Sequence, residues 1–353
     1  MSKIHLVYPC GSSISTPDAI GRNVASRLIK NHEIMVYDWS STSVIKPGID
    51  DIIIGHAHPN PFTIFRRSIQ RSGWKKRILM QPFTTYTPHV AYLWNVINRV
   101  DQFAAITGKY WIDQIRTSSF SAWQDKIFQL ELAVDRNDFP LVKLKFNDVD
   151  KRRFLYIGNS DSCKNLKYLR QIANEVGIEK FSAIGSKVSG FRNYGRLDFQ
   201  SDFSKKIIAE HDFLIMTSIA DANPTVVLEA MAWGLIPIIT PQCGYTESDG
   251  PILIPQNDVQ KCSILLKDLI KKSSCDLLAM QSANIKMLDG LFNWESFFER
   301  LVEVINMPRV SQMKNITRPL RSVMEEIVSD KSFLRLKNFK NFVKVIVKAT
   351  HAN

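Results

Sequence analysis

The sequence predicts an α/β protein of two domains, each with a parallel β-sheet that helices cover on both faces. Apolar segments of strand length alternate with segments of helical periodicity over residues 4–117, and the alternation returns over residues 154–240. Between the two series, residues 132–153 are rich in turn-forming and charged residues, which predicts a connection between domains. A chain of 353 residues is long enough to bury two separate cores.

The first series contains five predicted strands. They lie at residues 4–8, 34–37, 51–54, 77–80 and 103–107, and helices are predicted at 18–29, 62–72 and 108–117. A glycine- and serine-containing loop around Gly11 follows the first strand, and its backbone amides could approach a phosphate or a sugar. Because the loop lacks the full Gly-x-Gly-x-x-Gly pattern, it does not indicate dinucleotide binding.

The second series begins with a predicted strand at residues 154–158. It continues with a helix at 166–176, a strand at 181–184, a helix at 203–210, a strand at 212–217, a loop and helix that end at Gly234, and a strand at 236–240. Further along, Asn293 is expected to cap a helix that begins with Trp294.

The loop and helix after the strand at 212–217 carry two carboxylates, Asp221 and Glu229. A strand, a loop and a helix in this order direct the N-terminal amides of the helix over the strand end, which creates an anion site. Glu229 lies within the helix, so we expect it to face a polar ligand rather than the core. The alternative is an ordinary βαβ unit with two incidental carboxylates, and the agreement of loop, helix, glycine and next strand favours the ligand site.

This acidic-x7-acidic pattern before Ala-Met-Ala-Trp-Gly at residues 230–234 resembles the nucleotide-sugar motif of retaining glycosyltransferases of family 4, which have the GT-B fold. The resemblance implies two Rossmann-like domains that face each other across a cleft. The acceptor-side domain would comprise residues 1–147, the nucleotide-sugar domain 148–307, and a basic helical tail 308–353. It also implies a front-face sugar transfer from a nucleotide-sugar co-substrate, with no metal and no other cofactor.

Residues 156–165 resemble the family segment that holds the donor diphosphate. Lys164 stands at the position of the family's lysine, whereas Asn159 stands at the position of its arginine and lacks the fixed charge and bidentate geometry. The resemblance assigns both residues to the donor site, and either Lys167 or Arg192 could supply the missing charge. Without the motif around it, Lys164 would be an exposed lysine at a helix start.

The resemblance assigns further donor contacts around Asp221. Gly185 lies in a small-residue turn near the nucleotide, and Tyr194 lies where the family backbone contacts the base. Asp221 replaces the more usual glutamate near the transferred sugar, while Glu229 would accept hydrogen bonds from the ribose hydroxyls. The loop between them would add contacts from Asn223, Pro224 and Thr225.

Two histidines, His56 and His58, follow the strand at residues 51–54 and resemble a His-x-His segment of the family. At this strand end they would reach the cleft, where imidazole can hydrogen-bond a sugar hydroxyl or stabilise developing charge. Family members often carry another histidine after the next strand, and here the nearest is His89. The catalytic role therefore falls to one of these three or is absent. Zinc is disfavoured, because further ligands are not spaced nearby.

The formal net charge of +12 would attract sugar nucleotides, anionic lipid or nucleic acid. Basic residues concentrate at 66–77, 151–153 and 331–348, and in the last segment they alternate with apolar residues. That tail resembles an amphipathic helix for an anionic membrane surface, and the alternative is a helix packed on the protein. Nucleic acid is disfavoured, because aromatic platforms and groove-reading motifs are lacking.

The scattered cysteines and the short apolar segments predict a cytoplasmic protein with reduced thiols, able to lie at the inner face of the membrane. We expect a glycosyltransferase that builds a bacterial surface polysaccharide or a lipid-linked glycan. Two alternatives remain: a GT-B enzyme that uses phosphate or a sugar phosphate, and a degenerate GT-B domain that acts as a binding or scaffolding subunit. Asn159 and Asp221 support the second alternative, whereas Glu229 and Lys164 support the transferase.

Overall fold

The computed structural model describes residues 3–12 and 15–310, and gives only the backbone at residues 88 and 89. It contains two parallel β-sheets of six strands each, with helices around them. The predicted α/β fold of two Rossmann-like domains is therefore confirmed. The predicted tail lies outside the described residues from residue 311 onward.

The sheet of the first domain contains the five predicted strands and one more. Its strands are β1 (Lys3–Val7), β2 (Glu33–Tyr37), β3 (Ile52–Gly55), β4 (Lys76–Pro82), β5 (Gln102–Ile106) and β6 (Ile127–Leu130). Their order across the sheet is β2-β1-β3-β4-β5-β6. The inner strands β3 and β5 are buried along their whole length, as parallel strands covered on both faces must be. The strand β6 was not predicted.

The helices of the first domain are α1 (Thr16–Leu28), α2 (Ile64–Ser68), α3 (Thr87–Val90), α4 (Trp94–Ile97) and α5 (Lys109–Gln114). Helix α1 begins where local chemistry favours a helix start. The Ser15 side chain accepts from the backbone N–H of Asp18, and Pro17 occupies the first turn. This start places Thr16 at the end of α1 that faces the second domain. Helix α2 is shorter than the predicted helix at 62–72.

The sheet of the second domain has the order β12-β11-β10-β7-β8-β9. Its strands are β7 (Phe154–Gly158), β8 (Phe181–Gly185), β9 (Arg192–Asn193), β10 (Phe213–Met216), β11 (Ile236–Ile239) and β12 (Ile252–Leu253). The predicted strand at 154–158 coincides with β7. The two edge strands, β9 and β12, have only two residues each, too few to produce a recognisable apolar pattern.

The helices of the second domain are α6 (Leu166–Val176), α7 (Asp202–Ala209), α8 (Thr225–Trp233), α9 (Val259–Lys271), α10 (Ser274–Gly290) and α11 (Trp294–Asn306). The helix that carries Glu229 ends as predicted, because Gly234 adopts the left-handed conformation with φ of 92°. The predicted cap of α11 is also present: the Asn293 side chain accepts from Ser296 N at 2.9 Å.

Helix α11 returns to the first domain, where it packs against α1, β5 and β6. Its C-terminus is held by the buried ammonium group of Lys76, which donates to the carbonyl of Ile305 at 2.5 Å and also to those of Val304 and Met307. One hydrophobic cluster consequently includes residues of both domains, among them Ile4 and Leu155. The two domains are therefore joined by shared packing, to which residues of the connection such as Leu132 and Val134 also contribute.

The first two basic segments are partly internal. Lys76 is buried against α11, and Arg152 is buried at the C-terminus of α9, where it donates to the carbonyls of Ile270 and Lys272 at 2.5 and 2.6 Å. Positive side chains at helix C-termini stabilise the exposed carbonyls and the helix dipole. Lys76 and Arg152 thus stabilise the fold rather than contribute to the charged surface.

All five cysteines are free thiols, in agreement with the sequence prediction. The helices within residues 3–12 and 15–310 include none with the length and apolar character needed to cross a bilayer.

Candidate active site

A cleft with two adjoining cavities lies between the domains, where strands of both sheets end. The first cavity, of about 350 Å³, is lined by the last residues of β4, β5, β7 and β10, which are Pro82, Ile106, Gly158 and Met216. The second cavity, of about 380 Å³, shares Asn159, Lys164 and Asp221 with the first. Ligands of open α/β sheets bind outside the carboxyl ends of the strands, so this cleft is the expected ligand site.

Most of the predicted site residues line these cavities. The first cavity contains Asn159, Lys164, Asp221, Asn223, Pro224, Thr225 and Glu229, and His56 lies in the second. The remaining four predicted residues, Gly11, His58, Gly185 and Tyr194, line neither cavity. The structure therefore brings the acidic loop and the lysine together, and leaves the predicted base-contact region apart from them.

The N-terminus of α8 points into the first cavity. Its capping position is occupied by Pro224, which offers no side-chain cap to the helix amides. The hydroxyl of Thr225 lies 3.2 Å from that of Thr16, the first residue of α1. Two helix N-termini from different domains thus meet at this cavity, and their partial positive charges favour an anionic ligand there.

Glu229 lies one helical turn after Thr225, on the face of α8 that lines the first cavity. Burial raises the pKa of Glu229 to about 7, and a hydrogen bond with Thr225 opposes that shift only in part. A carboxylate so poorly solvated has a strong need for hydrogen-bond donors. A ligand with adjacent hydroxyls could supply them, since the two carboxylate oxygens accept a diol at once.

Lys164 and Asp221 form an ion pair at the boundary of the two cavities. Their side chains are only 16% and 18% exposed. Burial alone would favour the neutral amine, but the Asp221 carboxylate outweighs it, and the pKa of Lys164 is raised. Lys164 therefore carries a full positive charge inside the cleft.

The Asn159 side chain forms hydrogen bonds within its own loop. Its amide nitrogen donates to the Asp161 carboxylate at 2.7 Å, and its amide oxygen accepts from Asp161 N at 3.2 Å. The two proposed substitutes for the missing arginine lie elsewhere: Lys167 lines a separate surface cavity, and Arg192 lies over the Tyr194 ring at 4.9 Å. Among the described residues, Lys164 is consequently the one lysine or arginine in the walls of the two cleft cavities.

The predicted glycine contacts have local structural roles. Gly185 has a φ of 93°, and a Cβ there would lie 2.5 Å from the Gly158 carbonyl, so glycine is needed where β7 and β8 end side by side. Gly11 N donates to the Asp18 carboxylate at 2.7 Å, which fixes the loop before α1.

His56 is better placed than His58 to reach a ligand, because His56 lines the second cavity and His58 does not. It packs edge-on against Trp39 with ring centroids 4.6 Å apart, and its Nδ1 has no hydrogen-bond partner in the described part of the chain. Burial, with a smaller effect of His58, lowers the pKa of His56 to about 3, so its imidazole is neutral near pH 7. His58 instead accepts from Asn60 N at 3.1 Å within its own turn. The side chain of His89 is outside the described set.

Sequence reasoning missed several cleft residues. Thr16 could have been found, because Ser15, Pro17 and Asp18 together form a helix-start signal. Gln81 could not have been found, because its hydrogen-bond partners are distant in sequence. It accepts from Ala57 N at 2.9 Å and donates to the Tyr92 hydroxyl at 3.0 Å. Residues of the α5 N-terminus, which contact the Asp221 loop from the other domain, also had no local signal.

A metal site is not evident in the described residues. No three side chains of His, Cys, Asp or Glu come together there in an arrangement that could hold a metal ion. The expected independence from metals stays a prediction.

Comparisons with known proteins agree with this geometry. Residues 137–272 match the sequence model of the family described as glycosyl transferases group 1. A search of curated proteins finds no match. The structure is similar to a glycosyltransferase from Rickettsia africae ESF-5, with a TM-score of 0.60, 12% identity and coverage of 87% of this chain and 99% of that one.

Two further solved structures are similar. Sucrose-phosphate synthase from Thermosynechococcus elongatus has a TM-score of 0.65 at 10% identity, with coverage of 86% of this chain and 98% of that one. Anabaena Alr3699/HepE, in complex with UDP and glucose, has a TM-score of 0.59 at 10% identity, with coverage of 86% and 99%. These structures establish the GT-B fold. Together with the family match in the second domain, they support a glycosyl-transfer enzyme.

Proposed function

We propose that this protein is a retaining glycosyltransferase of family 4 that moves a sugar from a nucleoside diphosphate sugar to a glycan or lipid-linked acceptor. The observation that carries the proposal is the position of Glu229, half-buried one turn inside α8 in the same cavity as Lys164 and two helix N-termini. A nucleotide sugar presents a ribose diol and a diphosphate. The carboxylate suits the diol, and the lysine with the helix amides suits the diphosphate.

The same groups would act on the leaving group. In a front-face transfer the departing diphosphate gains negative charge and helps to remove the proton of the acceptor hydroxyl. Lys164 and the N-terminal amides of α8 would stabilise that charge without reorganisation, because they are already held in a low-dielectric cleft. Asp221 would lie near the transferred sugar, and in the absence of donor it fixes the ammonium group of Lys164.

The second cavity would hold the acceptor. Its wall from the first domain includes His56, Gln81, Thr84 and Tyr92, none of which is charged near pH 7. A neutral imidazole in this wall can accept a hydrogen bond from an acceptor hydroxyl as the nucleophile approaches the donor. Closure of the two domains around both substrates would exclude water, which limits hydrolysis of the donor.

For the cellular role, we propose synthesis of a bacterial surface polysaccharide or lipid-linked glycan by a cytoplasmic enzyme at the inner face of the membrane. The support is the basic and apolar pattern of residues 331–348 in the sequence. The test is sedimentation with vesicles that contain anionic phospholipid, with neutral vesicles as the control. Deletion of the chain from Lys331 onward should abolish the binding, and undiminished binding of the truncated protein contradicts the membrane role.

The donor is identified by thermal unfolding in the presence of UDP, GDP and their common sugar conjugates. A ligand at a hundred times its dissociation constant adds about 2.7 kcal/mol to the free energy of unfolding, which such a scan resolves. Glu229→Ala should abolish the stabilisation, whereas Glu175→Ala, at an exposed position of α6, should leave it intact. Proton NMR of the sugar anomer in the product then tests retention. Stabilisation that persists in Glu229→Ala would refute the donor site.

A second candidate function has one observation in its favour. Asn159 stands where the family has an arginine and is hydrogen-bonded to Asp161, so the cleft offers one cation where the family motif offers two. A GT-B protein with weak donor binding could act as a binding or scaffolding subunit. Absence of stabilisation by every nucleotide, together with absence of sugar transfer and hydrolysis, would favour that function.

A further inference from the structure

The N-terminal turn of α5, in the first domain, makes direct contact with the acidic loop of the second domain. Gly108 N donates to the Ala222 carbonyl at 3.0 Å, and Tyr110 N donates to the Gly244 carbonyl at 3.1 Å. The first amides of a helix have no partner within the helix, so here they are satisfied across the domain boundary. The contact is therefore specific in geometry, because both amides must reach carbonyls on separate loops.

Side chains extend the same contact to Asp221 itself. The indole Nε1 of Trp111 donates to the Asp221 backbone carbonyl at 2.6 Å, and Trp111 is 5% exposed. The Gln242 amide donates to the Tyr110 hydroxyl at 3.2 Å, and the Gln242 carbonyl accepts from Asp221 N at 2.9 Å. Both backbone polar groups of Asp221 are thus held by residues of this contact.

The two domains approach each other closely at this point. A Cβ placed on Gly108 would lie 2.0 Å from the Gly244 carbonyl oxygen and 3.1 Å from the Asn223 amide nitrogen. Gly108 has φ of −87° and ψ of 167°, a conformation that alanine adopts without strain. A glycine is therefore required for the fit between domains and not for the local backbone.

We propose that Gly108 and Trp111 are positioning residues: they hold the Asp221–Asn223 loop in its reactive position only while the two domains are in contact. This inference rests on the proposed glycosyl transfer. In the structure, Trp111 of the first domain fixes Asp221, which pairs with Lys164 at the donor site. No side chain of α5 lines the donor cavity itself, so α5 acts there only through this contact. Domain contact and correct placement of the catalytic loop are consequently one event.

The test replaces Trp111 with phenylalanine, which keeps an aromatic ring but removes the N–H donor. With the sugar nucleotide found in the donor scan, we expect kcat to fall about tenfold while the affinity for the nucleoside diphosphate alone changes less than about twofold. The matched control is Trp123→Phe, since Trp123 is also buried and its Nε1 donates at 2.9 Å to Asn98 within the first domain. That control should retain the wild-type kcat.

Gly108→Ala provides a second, independent variant, and serves alone if Trp111→Phe does not fold. The added methyl group should separate the domains, so small-angle X-ray scattering should show a larger radius of gyration than for the wild type, and kcat should fall at least about tenfold. Gly290→Ala is its control, because a Cβ at Gly290 meets nothing within 4 Å. A wild-type kcat in both variants, with wild-type scattering of Gly108→Ala, would overturn the inference while leaving the transferase intact. Absence of transfer by the wild type would instead refute the proposed function.

Discussion

Donor binding should strengthen as the pH rises through 7, because the proposed ribose site requires an ionised Glu229. In the free protein, burial raises the pKa of this carboxyl from 4.5 to about 7. About one-tenth of the molecules therefore carry the ionised form at pH 6, and about nine-tenths at pH 8. If the sugar nucleotide binds the ionised form, its apparent affinity should be about tenfold higher at pH 8 than at pH 6.

Isothermal titration calorimetry at pH 6, 7 and 8 measures this effect. An intact sugar nucleotide is the correct ligand, because its diphosphate is esterified at both ends and does not titrate near pH 7, unlike that of a free nucleoside diphosphate. At pH 7, binding should release about half a proton, visible as a dependence of the measured enthalpy on the ionisation enthalpy of the buffer. Glu229→Gln is the control, and its weaker affinity should not vary with pH in this range.

The same carboxyl should also affect stability, with a definite sign. The folded-state pKa lies above the ordinary value of 4.5, so the contribution of Glu229 is most favourable below pH 4.5 and is lost as the pH rises through 7. The loss amounts to about 3 kcal/mol. Without donor at pH 8, Glu229→Gln should therefore resist denaturant better than the wild type. A donor affinity that is constant between pH 6 and 8, or that increases toward acid, refutes the assigned role of Glu229.

Three further substitutions have distinct expected outcomes. Lys164→Met should weaken nucleoside diphosphate binding by at least about tenfold in calorimetry, because it removes a charge-assisted contact; unchanged affinity would mean that the diphosphate lies elsewhere. His56→Ala should lower the single-turnover rate while His58→Ala should not, and the reverse order would assign catalysis to His58. Lys76→Met should lower the unfolding free energy by about 1–3 kcal/mol in denaturant titration, because three carbonyls near the end of α11 lose a donor. The transfer rate of this variant per folded molecule should equal that of the wild type.

The parts of the fold that could be predicted from sequence depend on local patterns. The strand β7 and the helix α6 have the bounds that their apolar periodicity predicts, and the end of α8 follows from the conformational freedom of Gly234. The strands β9 and β12 could not be predicted, because two residues held in place by a neighbouring strand carry no periodicity of their own.

The candidate site was predictable where a local motif marks its residues, as at Lys164 and in the Asp221 loop. Asp221 and Glu229 belong to a single loop and helix, so their spacing places both at one cavity. By contrast, Trp111 contacts a residue 110 positions away, and Lys76 contacts residues more than 220 positions away. Contacts of this separation depend on tertiary packing, and for that reason the sequence did not reveal that Lys76 of the first basic segment is a buried helix cap.

The arrangement around Lys164 has a consequence for turnover. The family motif would hold the diphosphate with two cations, whereas here Asn159 is neutral and Lys164 is already paired with Asp221. A diphosphate must compete with that carboxylate for the ammonium group, so part of the Coulombic attraction is offset and the product nucleotide is held less tightly. Under the proposed function, contacts of the transferred sugar with the Asp221 loop would offset this loss for the donor and not for the product. We therefore expect the substitutions that weaken the anion site to favour release of the product over release of the donor.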